Sequence, residues 1–205
     1  MKPLATAKER LAPALSPDER RRLSLAMLED VIVAATGFDR VWVLNSDDVV
    51  ADLALAAGVE AVADPAPGAG LNASLTAGTR AAIAEGATGV LIVSADLPCA
   101  KEEHLARLVA EPGVAIAPDR NGIGTNALWR SPGDLIDVAF GPKSFAAHVE
   151  LAHAAGKRAR VTGSSLAFDV DTPDHLVEAW GYGIGSATRK ALEELGIAVR
   201  LRLAG

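Results

Sequence analysis

The chain has 205 residues, enough for one α/β domain with a sizeable core, and carries a formal net charge of −6 with four histidines and one cysteine. Its acidity and an aromatic content of 4% exclude a broad nucleic-acid surface and a base-stacking platform for single strands. No apolar run reaches the ~18–20 residues of a membrane span, residues 1–15 lack the apolar centre of a signal peptide, and the lone Cys99 leaves no internal disulfide, so a cytoplasmic protein with no membrane partner is expected.

The chain opens on a basic stretch, Lys2, Lys8 and Arg10, without the GxxxxGK[ST] of a Walker A loop. Spacing alone favours a solvated end over a triphosphate loop there. Ser16-Pro17-Asp18-Glu19 then reads as N-cap, proline at N1 and glutamate at N3 of a helix that runs through Leu23, Met27 and Val31 and stops at Gly37. Strands are expected over 40–45, 60–63, 89–95, 113–117, 125–130 and 158–162, with a last one over 198–203. Helices are expected over 49–57, 71–85, 101–110, 143–155, 173–180 and 186–195, several stopped by glycine. Apolar strands alternating with helices predict a three-layer α/β/α domain with a mostly parallel central sheet, residues 1–205 forming one domain.

Asp96 directly follows the apolar run 89–95, at the carboxyl end of a strand, where open α/β sheets bind ligands. The competing reading is an aspartate capping the next helix. Asp169 and Asp171 alternate in an extended stretch, which puts both carboxylates on one side, ~6.5–7 Å apart, where a shared cation relieves their repulsion. Otherwise Asp171 caps the helix after it and Asp169 is solvated. Together the three aspartates compose a plausible Mg²⁺ site, since Mg²⁺ is held by one or two carboxylates plus substrate phosphates.

Nucleotidyl transfer needs positioning and charge neutralisation but no protein nucleophile. That agrees with a chain whose His104, His148, His153 and His175 all fall in expected helices and read as structural residues, as does Cys99. Three loops offer anion grips: 121–126 with Thr125, Gly141-Pro142-Lys143-Ser144 opening a helix, and Gly70-Leu71-Asn72 opening another. Ordinary turn and cap chemistry explains each loop equally well.

In order, KPLATAKERLAP, LSPDERRRLSLAMLEDV, GLNASL, SADLP, APDRNGIGTNAL, FGPKSFAAH and LAFDVDTPDHL resemble the phosphoenolpyruvate or 2-phospho-L-lactate guanylyltransferases of coenzyme F420 biosynthesis, over residues 2 to about 176. The resemblance implies a Rossmann-like nucleotidyltransferase fold. It also implies transfer of GMP from GTP to a phosphorylated three-carbon acid, with pyrophosphate released and Mg²⁺ as cofactor. Asp96, Asp169 and Asp171 are then the metal carboxylates and, with Lys8, the catalytic set. Thr125, Gly141 and Ser144 hold the acid; Lys2, Lys8 and Arg10 line the GTP phosphates, and Gly70, Leu71 and Asn72 lie near the nucleotide. An alanine- and arginine-rich chain leans towards phosphoenolpyruvate, giving enolpyruvoyl-diphospho-5′-guanosine, with 2-phospho-L-lactate and 3-phosphoglycerate as other acceptors. A sugar-phosphate or pterin-cofactor transferase and a catalytically silent nucleotide-binding protein are the alternatives. Hand-over of the product to the next pathway enzyme and assembly as a homodimer stay open. Members of that family begin with a short apolar strand before KPL; in this chain that strand is expected to be missing ahead of residue 1, through a mis-set start or a shortened chain.

Overall fold

The structure, a computed structural model, describes residues 8–163 and 165–203; Lys2 lies outside the described residues. The chain forms two compact units. One gathers the chain up to residue 62 with 95–102 and 168 onward, and the other 63–94 with 103–167.

In the first unit a 3-10 turn, Glu9–Leu11, leads into α1, Pro17–Ala35. The start of α1 is the capping box read from the sequence: Ser16 Oγ accepts from Glu19 N–H at 3.3 Å and Glu19 Oε2 accepts from Ser16 N–H at 2.8 Å. Its apolar residues face two ways. Leu23 and Met27 join Leu11, Leu15, Leu176 and Leu192 in one core, while Leu28 and Ile32 pack with Val43, Val50 and Ala54 in another. Each fully buried side chain of this size contributes about 1.5–3 kcal/mol. β1 (Trp42–Asn45), α2 (Asp48–Ala56) and β2 (Glu60–Ala63) make a β–α–β unit with a parallel strand pair.

In the second unit α3 (Leu71–Ala84), β3 (Val90–Val93), α4 (Glu102–Val109), β4 (Gly113–Pro118), β5 (Thr125–Ser131), α5 (Ser144–Ala154) and β6 (Arg160–Val161) follow in order. The sheet order is β3-β5-β4-β6. β4 and β6 run parallel, but β5 is antiparallel to both β3 and β4, so this sheet is mixed where a mostly parallel one was expected. The α/β class stands. The reason lies in the connection: the short turn between Pro118 and Thr125 allows a hairpin, whereas a parallel return needs roughly a dozen residues or more.

The first unit ends with α6 (Pro173–Tyr182), α7 (Ser186–Glu194) and α8 (Ile197–Arg200). A strand was expected over 198–203; a short helix stands there instead. Alternating apolar residues make a strand only where a neighbour supplies ladder hydrogen bonds, and here Ile197, Ala198, Leu201 and Leu203 are drawn onto the α1 core. The start of α7 is fixed from a distance. Asp30, buried in α1, accepts from Ala187 N–H at 3.0 Å and Thr188 N–H at 2.9 Å, satisfying two of the orphan donors at the helix start. Gly185 permits this, because a Cβ there would lie 2.2 Å from the Asp30 carboxylate.

Candidate active site

The turn that carries Asp96 is bolted down by its neighbours. Leu97 and Cys99 are buried, Asp96 O accepts from Val170 N–H at 3.2 Å, Pro98 O accepts from Gly185 N–H at 2.7 Å, and Cys99 Sγ donates to Ala179 O at 3.4 Å. Asp96 caps no helix, since α4 begins only at Glu102. Nor does Asp171: the cap of α6 is Thr172, whose hydroxyl accepts from His175 N–H at 3.3 Å. Val170 is fully buried between half-buried Asp169 and Asp171, the alternation that places the two carboxylates on the outer side. Both carboxylates at issue are therefore released from capping duty and held next to each other by backbone pairing.

What joins them is Lys8. Its Nζ donates to Asp96 Oδ2 at 2.5 Å and to Asp171 Oδ1 at 2.8 Å, with the lysine side chain only 10% exposed. Lys8 sits in the left-handed region, φ 57°, a conformation that costs a side-chain-bearing residue about 1–2 kcal/mol and is held here by the 3-10 turn that follows. Burial pulls the ammonium's pKa down, but the charges of Asp96 and Asp171 outweigh it and hold the group above its ordinary value. Burial likewise pushes Asp171 up, and Lys8, then Arg10 and His175, more than reverse it, so Asp171 stays ionised below the usual carboxylate range. Arg10 Nη1 stands 3.8 Å from Asp171 Oδ2 with its side chain largely in solvent. Asp96 and Asp171 are thus brought together as expected, but around a lysine ammonium. Among the described residues no three His, Cys, Asp or Glu form a group arranged to hold a metal ion, so Asp169 does not complete a three-carboxylate cluster with them.

The second unit assembles the other expected residues. Ser144 Oγ accepts from Thr125 N–H at 2.9 Å, and Thr125 Oγ1 lies 2.9 Å from His148 Nδ1; all three residues are buried. The Asn72 amide clips the Phe140 backbone twice, donating to its carbonyl at 2.9 Å and accepting from its N–H at 2.8 Å, which ties the start of α3 to the residue before Gly141. Gly141, φ 137°, and Lys143, φ 59°, turn the chain sharply into α5. The free N–H groups expected at these loops are partly used up. Ser144 N–H bonds to Gly141 O and Phe145 N–H to Ile123 O, while Asp119 Oδ1 takes the N–H groups of Asn121 and Ile123. Gly70 caps α3 without a side-chain bond, and Gly70 and Leu71 are exposed at that helix start. His148 was read from the sequence as merely structural. No spacing rule marks it, because its partners lie 23 and 9 residues away.

A match to the family described as "Guanylyl transferase CofC like" spans residues 1–204. The chain belongs to this family. Within it, the chain is 44% identical over 188 residues to a phosphoenolpyruvate guanylyltransferase of Sphaerobacter thermophilus, covering 87% of this chain and 89% of that protein. It is 38% identical over 200 residues to one of Rubrobacter xylanophilus, covering 93% and 96%. Among solved structures, a Desulfovibrio desulfuricans G20 protein described as a nucleotide-diphospho-sugar transferase superposes with a TM-score of 0.76 at 17% identity, over 95% of this chain and 91% of that one. A nucleotidyl transferase from Methanothermobacter thermautotroptrophicus superposes with a TM-score of 0.59 at 18% identity, over 76% and 80%. This guanylyl transferase family member is therefore a nucleotidyltransferase of α/β fold. No helix among its described residues is long and apolar enough to cross a membrane.

Proposed function

We propose that this guanylyl transferase moves GMP from GTP to phosphoenolpyruvate, in the cytoplasm, with Asp96, Asp171 and Lys8 as its catalytic group. The observation that carries the reading is the single ammonium of Lys8 shared by two carboxylates that are 88 and 163 residues distant in sequence. A charge cluster of this kind suits a reaction whose difficulty is the handling of phosphate charge.

The donor set also fits Mg²⁺. Asp96 and Asp171 are 31% and 38% exposed, and one or two carboxylates completed by phosphate oxygens and water suffice for this ion once the Lys8 ammonium, which both now share, turns toward the phosphates. Bound there, Mg²⁺ would supply charge neutralisation for the triphosphate. Asp169, half-buried two residues before Asp171, would add a further carboxylate only by turning its side chain toward the bound ion. Lys8 would then stabilise charge on the α-phosphate, and Arg10, already at the rim, would meet the outer phosphates. Gly70, Leu71 and Asn72 at the start of α3 serve the nucleotide, and Thr125, Gly141 and Ser144 the acid. A phosphate oxygen of the acid attacks the α-phosphorus of GTP, the α–β phosphoanhydride bond breaks, and pyrophosphate leaves. No protein nucleophile takes part.

The test is pyrophosphate release by purified protein with Mg²⁺, each nucleoside triphosphate in turn, and phosphoenolpyruvate, 2-phospho-L-lactate or 3-phosphoglycerate. GTP with phosphoenolpyruvate is expected to give the highest kcat/KM. Asp171→Asn, which keeps shape and removes charge, is expected to abolish release while thermal unfolding stays cooperative. A folded protein that releases nothing with any acid would refute the reading.

A further inference from the structure

Resting on the placement of the acid at Thr125 and Ser144, we propose that His148 is a positioning residue that fixes the hydrogen-bond polarity of Thr125, making its hydroxyl, like that of Ser144, a donor toward an acceptor-only oxyanion.

Ala139 N–H donates to His148 Nε2 at 2.9 Å. A backbone N–H only donates, so Nε2 carries no proton. The ring is fully buried, and burial together with the nearby Arg130 charge lowers its pKa from 6.5 to about 4. At neutral pH the imidazole thus holds one proton, and that proton is on Nδ1. Phe140, edge-on to the ring at 5.0 Å between centroids and 69° between planes, keeps the imidazole from turning over. The Nδ1–H therefore points at Thr125 Oγ1, 2.9 Å away, and the threonine oxygen accepts.

The hydroxyl hydrogen of Thr125 is then left over. The same holds next door, where Ser144 Oγ accepts from Thr125 N–H and its own hydrogen has no acceptor among the described residues. Among the described residues every group hydrogen-bonded to the two oxygens is a donor, so a ligand completes them only by accepting. A carboxylate or phosphate oxygen does so; an alcohol or amide in the same place gains less. Peptide N–H groups set this polarity, that of Thr125 directly at Ser144 and that of Ala139 at the Thr125 hydroxyl, where His148 transmits it.

The experiment uses the full chain labelled with ¹⁵N-histidine. Long-range ¹H–¹⁵N spectra at pH 7, with His148→Asn identifying the resonance, are expected to show a protonated Nδ1 and a bare Nε2. A proton on Nε2, or on both nitrogens, would overturn the proposal. Kinetics give the second reading. His148→Asn keeps an N–H near the Nδ1 position and is expected to hold KM for the acid within about threefold. His148→Gln keeps an acceptor for Ala139 but no donor for Thr125, and is expected to raise it about tenfold with KM for GTP unchanged, the loss of one hydrogen bond to an anion. Equal effects of the two substitutions would overturn the role of His148. Thr125→Val separates this from the parent reading: an unchanged KM for the acid there refutes the placement of the acid at Thr125. A raised KM there, with Asn and Gln alike at 148, refutes only the positioning role.

Discussion

Replacing Lys8 by methionine keeps the buried stem and removes the ammonium, which leaves Asp96 and Asp171 facing each other. Their oxygens lie 2.5 and 2.8 Å from one nitrogen, so they are separated by about 5 Å at most. At an effective dielectric constant of about 20, two unit charges at that distance repel by about 3 kcal/mol. The aspartates are 31% and 38% exposed, and solvent screening brings the expected loss of stability to about 2 kcal/mol, or about 4–8 °C in Tm for a chain of this size. Urea unfolding of both proteins measures it. Millimolar Mg²⁺ is expected to restore at least half of the loss in Lys8→Met and to shift the parent protein less, because a divalent cation then meets two carboxylates with no ammonium between them. Activity is expected to fall at least a hundredfold in the variant whether or not Mg²⁺ is present. An unfolding midpoint equal to that of the parent protein, with the same response to Mg²⁺, would show that the lysine does not neutralise the pair.

Gly185→Ala forces a Cβ to within 2.2 Å of the Asp30 carboxylate, which is short, buried and already committed to two N–H groups, so thermal unfolding is expected to show a loss of about 2 kcal/mol or more. Ser16→Ala removes half of the capping box at the start of α1 and is expected to cost about 1 kcal/mol in urea unfolding. His148, held near a pKa of about 4 against 6.5 when unfolded, adds stability that is complete above pH 6.5 and lost as pH falls toward 4. That loss is about 3 kcal/mol, and His148→Gln is expected to lack this component when unfolding is compared at pH 7 and pH 4.5; parallel pH dependence in the two proteins would contradict it.

What the sequence determined by itself was local. The capping box at Ser16 and Glu19, the helix start at Thr172 and the strand over 60–63 each depend on groups within a turn or two of chain. Repeat distances of about 3.6 and 2 residues expose such features directly. Asp96 and Asp171 of the candidate active site were legible for the same reason, Asp96 at the end of an apolar run and Asp171 by its alternation with Asp169. Spacing did not show their partner. Lys8 joined the catalytic set only through the family resemblance, as one basic residue among three near the GTP phosphates, and only folding across 88 and 163 residues puts its ammonium between Asp96 and Asp171. The direction of β5 was partly written in its short hairpin turn, but the fate of 197–203 depended on whether a strand partner existed, which no alternation of side chains can announce. Asp30 and His148 make the same point in the interior. On a helical wheel each is an ordinary polar residue, and its work is defined by backbone N–H groups of distant segments. Tertiary structure decided those assignments because a buried polar atom must find a partner, and which partner is within reach is a property of the packed chain alone.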